Sequence, residues 1–377
     1  MMKTTTQYGR ATLSALAGFT MVASMAATPV VALAGEPATD GAAAAGGTEA
    51  PAQDAAVESP QVMPADVEGT FAYDQTTLTP AENRIFKTVK DEPSEWLTDD
   101  TKVDTSIYEN WVISIDGDCE NPVEMTLPEL EQQFGTVKQI MKMDCTINGV
   151  GQATIMQSEV EGIPLKAIID YAKPKSGANV VSPIGSDGYD YAKMGIDWLL
   201  ENDALIVTKM DGELLAPSQG YPCMIWVYKT SGGNFTKRIS NLTFMTVPDD
   251  KIDAELYVGQ FTDDRTGEIY SKPNSGVLNY PTGIVLSGEE AKTVHLEGYA
   301  DAWDEPIKKM EFSFDHGETW TVVDTPDNNA DNWTYWRMDF TPPAAGAYLL
   351  DIRTTSITPD GADRVCQYDT QFMFTVE

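Results

Sequence analysis

The chain has 377 residues and a formal net charge of −33, from 25 basic and 58 acidic side chains. That balance argues against nucleic acid as a partner, because binding a phosphate backbone needs a basic face. With 2 histidines and 4 cysteines, a Ser-His-Asp hydrolase, a multi-histidine zinc site and a disulfide scaffold are all poorly supplied.

Residues 1–34 have the layout of a secretory signal peptide. Lys3 and Arg10 supply a positive start, residues 11–27 are small and apolar, and Ala32-Leu33-Ala34 before Gly35 fits a small-x-small cleavage site. The apolar run is short for a membrane span, which needs about 20 residues. Residues 35–66 are rich in Ala, Gly, Pro and acid, and no Lys or Arg occurs from Glu36 to Asn83. Such a composition cannot offset its ordering entropy. Residues 35–85 are therefore expected to be a flexible acidic linker, and the protein to be exported, either extracellular or associated with the cell envelope.

The folded part begins near residue 86. Trp111–Asp116 alternates like a strand and turns at Gly117. Thr126 and Glu129 have capping-box spacing, with Pro128 tolerated in the first helical turn. Lys138–Asp144 reads as a buried strand ending on Cys145. Pro164–Ala172 is an amphipathic helix, and Ile196–Leu200 lies in a short one. Leu205–Met210 is a strand followed by an Asp211-Gly212 hairpin turn, and Tyr221–Tyr228 is apolar enough for a central strand. Mixed short helices and strands indicate an α+β domain, here 86–272. From 273 to 377 the helical signals vanish. Val294–Gly298, Ile307–Phe314, Thr319–Val323, Trp333–Phe340, Ala347–Thr355 and Gln367–Val376 read as strands of an all-β immunoglobulin-like sandwich. His295 sits mid-strand and His316 in a hairpin turn, so both are expected to be structural. Trp303, Trp320, Trp333 and Trp336 are candidates for a sugar-binding platform or for core packing.

Several stretches carry a resemblance. Trp111–Gly117 with Pro122 and Leu127–Leu130, Asp144-Cys145-Thr146-Ile147-Asn148-Gly149, Glu161–Leu165, Lys209–Leu214, Gln219–Pro222, Gly232-Gly233 with Lys237-Arg238-Ile239, Gly298–Ala300 and Phe312–Trp320 occur in this order. Together they resemble the sulfite-oxidase family, in which a molybdopterin-binding domain precedes an immunoglobulin-like dimerisation domain. The resemblance implies a molybdenum–molybdopterin cofactor with Cys145 as the metal-binding thiolate. A thiolate is a soft, charged ligand suited to such a centre. It implies that Asn148, Ser231, Gly232, Gly233, Lys237 and Arg238 hold the cofactor, and that Tyr189 or Tyr191 stands near the reacting atoms. It also implies a homodimer through the second domain.

The departures from the family pattern shape the functional expectation. No Arg occurs between Arg84 and Arg238. A sulfite or nitrate anion is best held by bidentate Arg. Val160, Gln219, Met224 and Asn234 replace family Trp, His, Arg and Arg residues. The expected function is therefore an exported molybdopterin oxidoreductase, transferring an oxygen atom or two electrons on a small non-sulfite substrate such as an S-oxide or N-oxide. No C-x-x-C-H haem motif and no iron–sulfur cysteine cluster occurs, so electrons are expected to pass through a separate redox partner. The alternative is a cofactor-free exported binding module that keeps the fold.

Overall fold

The computed structural model describes residues 67, 69–84, 100–101, 103–145, 149–152, 154–191, 193–249, 252, 260–262 and 269–377. The expected signal peptide, most of the expected linker and Asn148 lie outside the described residues.

A short strand, β1 (Ala72–Asp74), comes first. The α+β half then runs α1 (Thr105–Asn110), β2 (Val112–Gly117), β3 (Val123–Thr126), α2 (Leu127–Phe134), β4 (Val137–Asp144), β5 (Ile155–Pro164), α3 (Leu165–Ala172), β6 (Val180–Gly185), β7 (Met194–Gly195), α4 (Ile196–Glu201), β8 (Leu205–Met210), β9 (Glu213–Leu214), β10 (Met224–Trp226) and β11 (Ile239–Met245). Its strands form two sheets. One has the order β3-β2-β11-β6-β7; the other is β10-β8-β5-β4, with β9 on β8. Ile113, Ile115, Leu242 and Phe244 of the first sheet, Ile163, Ile206 and Ile225 of the second, and Leu127, Leu130, Ile168 and Ile169 of the helices make one core. Packing one apolar stripe per helix against apolar strand residues is what closes these layers.

Local chemistry sets the boundaries. The capping box forms as expected: Thr126 N–H donates to Glu129 Oε2 at 2.8 Å and Glu129 N–H to Thr126 Oγ1 at 3.4 Å. The strand expected over Tyr221–Tyr228 contracts to Met224–Trp226. Pro222 has no N–H for a ladder, and Lys229 adopts a left-handed φ of 61° that ends the run.

The second half comprises β12 (Gln260–Thr262), β13 (Ile269–Ser271), β14 (Asn274–Val277), β15 (Ile284–Leu286), β16 (Val294–Asp301), β17 (Ile307–Ser313), β18 (Thr321–Asp324), β19 (Thr334–Phe340), β20 (Gly346–Ile357), β21 (Asp363–Val365) and β22 (Thr370–Val376). A sheet of order β1-β19-β16-β14 faces one of order β15-β22-β20-β17-β18, with β21 on β20. Leu296, Trp336, Met338 and Phe340 meet Met310, Phe312, Leu350, Ile352, Phe372 and Phe374 across the sandwich. The fold is thus a molybdopterin-domain-like α+β half followed by an all-β sandwich. Trp303, Trp333 and Trp336 are at most 1% exposed, so they are core residues and not a sugar platform. Arg353 lies over the Trp320 ring at 4.1 Å. His295 stands on the exposed side of β16, with Nδ1 2.6 Å from Asp339 Oδ1. His316 has a left-handed φ of 58° in its turn.

The linker expectation of 35–85 needs correcting at its C-terminal end. Residues 72–74 pair with Tyr335–Arg337 as an edge strand of the sandwich. The alternation Phe71, Tyr73 supplies apolar side chains, and Phe71 stacks on Phe312 at 4.7 Å. From there the chain crosses to the first half, where Arg84 pairs with Asp211. The crossing is fastened by Gln157 of β5, which is 0% exposed. Gln157 Nε2 donates to Gln75 O at 2.9 Å and Thr77 O at 3.2 Å. Its Oε1 accepts from Trp333 N–H at 3.1 Å and Asn332 Nδ2 at 3.2 Å. One buried amide thus joins the strap, β5 and the start of β19. Gln157→Leu is expected to lower the unfolding free energy of the full chain by about 3 kcal/mol, because backbone groups of Gln75, Thr77 and Trp333 each lose a hydrogen bond. Urea denaturation measures it, and a loss below about 1 kcal/mol would contradict this role.

Candidate functional site

Strand β4 delivers Cys145 to the site. Its pairing with β5 ends at Asp144 opposite Ile155, and Asp144 bridges in parallel to Ser231. Cys145 follows, half-buried. Ser231 starts a tight turn: its Oγ accepts from Gly233 N–H at 3.3 Å, and Asn234 N–H donates to Ser231 O at 2.9 Å. The turn is braced from below. Phe235 packs on Trp226 with ring centroids 5.2 Å apart, and Asn234 Nδ2 donates to Thr230 Oγ1 at 2.8 Å. A Cβ at Gly232 would lie 3.4 Å from both Asp144 O and Met143 Cγ, so the turn packs closely on the end of β4. Cys145, Ser231, Gly232 and Gly233 therefore belong to one locus.

The two tyrosines join it and differ in kind. The Tyr189 hydroxyl donates to Gly233 O at 2.6 Å, and burial, then the nearby Asp187 charge, pushes its pKa up to about 12. Its hydrogen is committed to the turn. Tyr191 stacks on Tyr189 with centroids 6.1 Å apart, and its ring is 49% exposed. Alternation along the segment explains the pair, since one side chain turns inward to fasten the turn and the other outward.

Lys237 and Arg238 lie at the start of β11, on the far side of Tyr189. Arg238 is 3% exposed, with a guanidinium nitrogen 3.6 Å from Asp187 Oδ2. Lys237 Nζ donates to Ser218 O at 2.5 Å. Gly220 makes room for this side chain: a Cβ there would lie 2.8 Å from Lys237 Cγ. Burial, then the Arg238 charge, lowers the Lys237 pKa to about 8, against a smaller opposing pull from Asp100. Two adjacent, largely buried cations thus stand together in an otherwise acidic chain.

At the Cys145 end the buried charges compensate one another. Lys142, Asp144 and Asp301 are each at most 2% exposed. Lys142 Nζ lies 2.5 Å from Asp301 Oδ1 and 3.6 Å from Asp144 Oδ2, and donates to Trp303 O at 2.6 Å. Burial alone would lower the Lys142 pKa, but the two carboxyls outweigh it and hold the ammonium charged. Burial, then repulsion from Asp301, raises Asp144 well above the usual carboxylate range, although Lys142 opposes this. One ammonium is thus enclosed with two carboxyls, and its charge offsets theirs. Sequence reading missed Lys142 and Asp301. They are 159 residues apart, and no local pattern marks a charge that burial will later pair.

Lys237 is protonated in the folded chain below about pH 8 and loses its charge as the pH rises through that value. An anion held by it is expected to bind most tightly below that pH. Calorimetric titration of the full chain with inorganic pyrophosphate, from about pH 6.5 to about pH 9, brackets the transition. Lys237→Met is expected to weaken binding at neutral pH by about tenfold or more, the size of a charge-assisted hydrogen bond, and to flatten the profile. Unchanged binding would remove the anion role.

Residues 100–252 match the family model described as oxidoreductase molybdopterin binding domain. Over 253 residues the chain is 24% identical to the NADPH nitrate reductase of Beauveria bassiana, an alignment covering 57% of this chain and 28% of that protein. Over 299 residues it is 22% identical to an NADH nitrate reductase of Brassica napus, covering 66% and 33%. The chain thus spans about a third or less of the length of these relatives. The sulfane dehydrogenase SoxCD of Paracoccus pantotrophus superposes with a TM-score of 0.52 at 18% identity, over 68% of this chain and 69% of that one, which establishes a shared fold. The match over 100–252 identifies a molybdopterin-binding oxidoreductase domain, and together with the shared fold and the aligned nitrate reductases it supports the resemblance to the sulfite-oxidase family.

Proposed function

We propose that the chain is an exported, molybdopterin-dependent oxidoreductase acting on a small neutral or cationic substrate such as an S-oxide or N-oxide. The carrying observation is the convergence of Cys145, the Ser231–Gly233 turn and Tyr191 at one locus, with the buried Lys237–Arg238 pair beyond Tyr189. That donor set fits the cofactor. The Cys145 thiolate is a soft ligand for molybdenum. Lys237 and Arg238 supply charge for a phosphate, and the Ser231–Gly233 turn supplies polar groups beside the ring system. Bound there, the group supplies oxygen-atom or two-electron transfer.

The chain's own residues set the selectivity. Asp144 and Asp301 are buried with Lys142 next to Cys145, while Arg238 faces Asp187. An anion such as sulfite or nitrate meets no bidentate guanidinium beside Cys145, whereas a neutral oxide meets no such penalty. In this reading Tyr191, exposed beside the turn, donates a hydrogen bond to the substrate oxygen. Electrons pass to or from a separate redox protein, and the sandwich serves as the dimer surface.

Protein purified from its native host is expected to contain molybdenum and to release a fluorescent pterin on oxidation. A metal-free, pterin-free native protein would instead support a binding module. Cys145→Ser is expected to abolish molybdenum retention, and full metal content in that variant would remove the ligand role. Tyr191→Phe is expected to lower kcat about tenfold, corresponding to one hydrogen bond of about 1.4 kcal/mol at the reacting oxygen. Tyr189→Phe is expected to lower stability instead, with kcat retained. Equal kinetic effects of the two substitutions would contradict the assignment.

A further inference from the structure

One edge of the sandwich holds both flanks of Cys145. On the N-terminal flank, Lys142 reaches Asp301 and the carbonyl of Trp303. On the C-terminal flank, Gly149 O accepts from Asn274 Nδ2 at 3.4 Å. Gly151 N–H donates to Ser275 O at 3.2 Å, and Gln152 O accepts from the Tyr299 hydroxyl at 2.5 Å. Asn274 and Ser275 are on β14, and Tyr299 and Asp301 on β16. These strands pair with Asn274 opposite Asp301 and Gly276 opposite Tyr299. Contacts from two adjacent strands thus reach the chain before and after Cys145.

We propose that the β14–β16 edge is a positioning surface for Cys145, and that Tyr299 is its principal positioning residue. What Cys145 is positioned for rests on the function proposed above; the positioning itself requires no metal. Tyr299 is 0% exposed, and its ring stacks on Trp333 with centroids 5.8 Å apart and planes 12° apart. Against its other side lies Gly276. A Cβ at that position would come within 2.8 Å of Tyr299 Cε1 and 3.1 Å of Gln152 O. The ring is therefore locked, and its hydroxyl fixes the Gln152 carbonyl at one point. A ligand thiolate must meet a centre whose other end is held elsewhere, at Lys237 and Arg238. Placement to about 0.5 Å is what such sites demand.

The test uses the full chain prepared without cofactor. Alkylation of Cys145 by iodoacetamide is followed by peptide mass spectrometry, with Cys366, also partly buried, as the internal reference. Tyr299→Phe is expected to speed Cys145 alkylation about fivefold relative to Cys366, the effect of losing one hydrogen bond of about 1 kcal/mol that holds the loop. Gly276→Ala is expected to act in the same direction by wedging the loop away. Tyr335→Phe is the control, because that neighbouring phenol donates to Glu297 and not to the loop; it is expected to leave the ratio unchanged. A Tyr299→Phe ratio within about twofold of the parent chain, or an equal rise in Tyr335→Phe, would overturn the proposal. Molybdenum content of the native chain is read separately. Its absence would end the proposed function, while the alkylation ratio would still decide the positioning.

Discussion

The ammonium of Lys142 lies where water hardly reaches, between Asp144 and Asp301. An unpaired charge there would be prohibitive, and removing one partner of such a cluster leaves an uncompensated buried ion. The charge on β4 therefore requires β16 beside it. That requirement fixes how the sandwich meets the α+β half, and both lie within one compact unit of the chain. Once the seam is set, β14 and β16 lie against the segment that carries Cys145. The position of the candidate ligand is thus a property of two folding layers and not of its own strand alone.

The same site has two electrostatic ends. At Lys237 and Arg238 the chain concentrates positive charge in a protein of net charge −33. At Cys145 it buries a compensated cluster, the Lys142 ammonium between Asp144 and Asp301. A long bound group with an anionic terminus fits this polarity in one orientation only.

Much of the scaffold was legible because its signals are local. Thr126 and Glu129 announce a capping box within four residues, and the box forms. The alternating strands after residue 290 pair as a sandwich because alternation reports which face will be buried. The turn at Ser231–Gly233 was legible as a motif, and it stands beside Asp144 and Tyr189. The remainder depends on partners far away in sequence. The strap at Ala72–Asp74 was read as linker because three residues of strand, in a stretch without Lys or Arg, become a strand only when β19 offers an edge. Tyr189 and Tyr191 could not be told apart, since their difference lies in whether Gly233 O is within reach. Gln157 gave no signal at all. A polar residue in a strand looks solvated until the strap and Trp333 surround it.

The strap also sets an order of assembly. Ala72–Asp74 leaves the ribosome long before Tyr335–Arg337, its pairing partners, exist. The edge it completes cannot close until nearly the whole chain has been made, and pairings of such sequence separation are slow to form. Gln157 and the β14–β16 edge wait on the same late strands. The loop bearing Cys145 therefore matures last, after both halves have gained most of their own secondary structure. A truncated or stalled chain would present the cysteine without the frame that orients it.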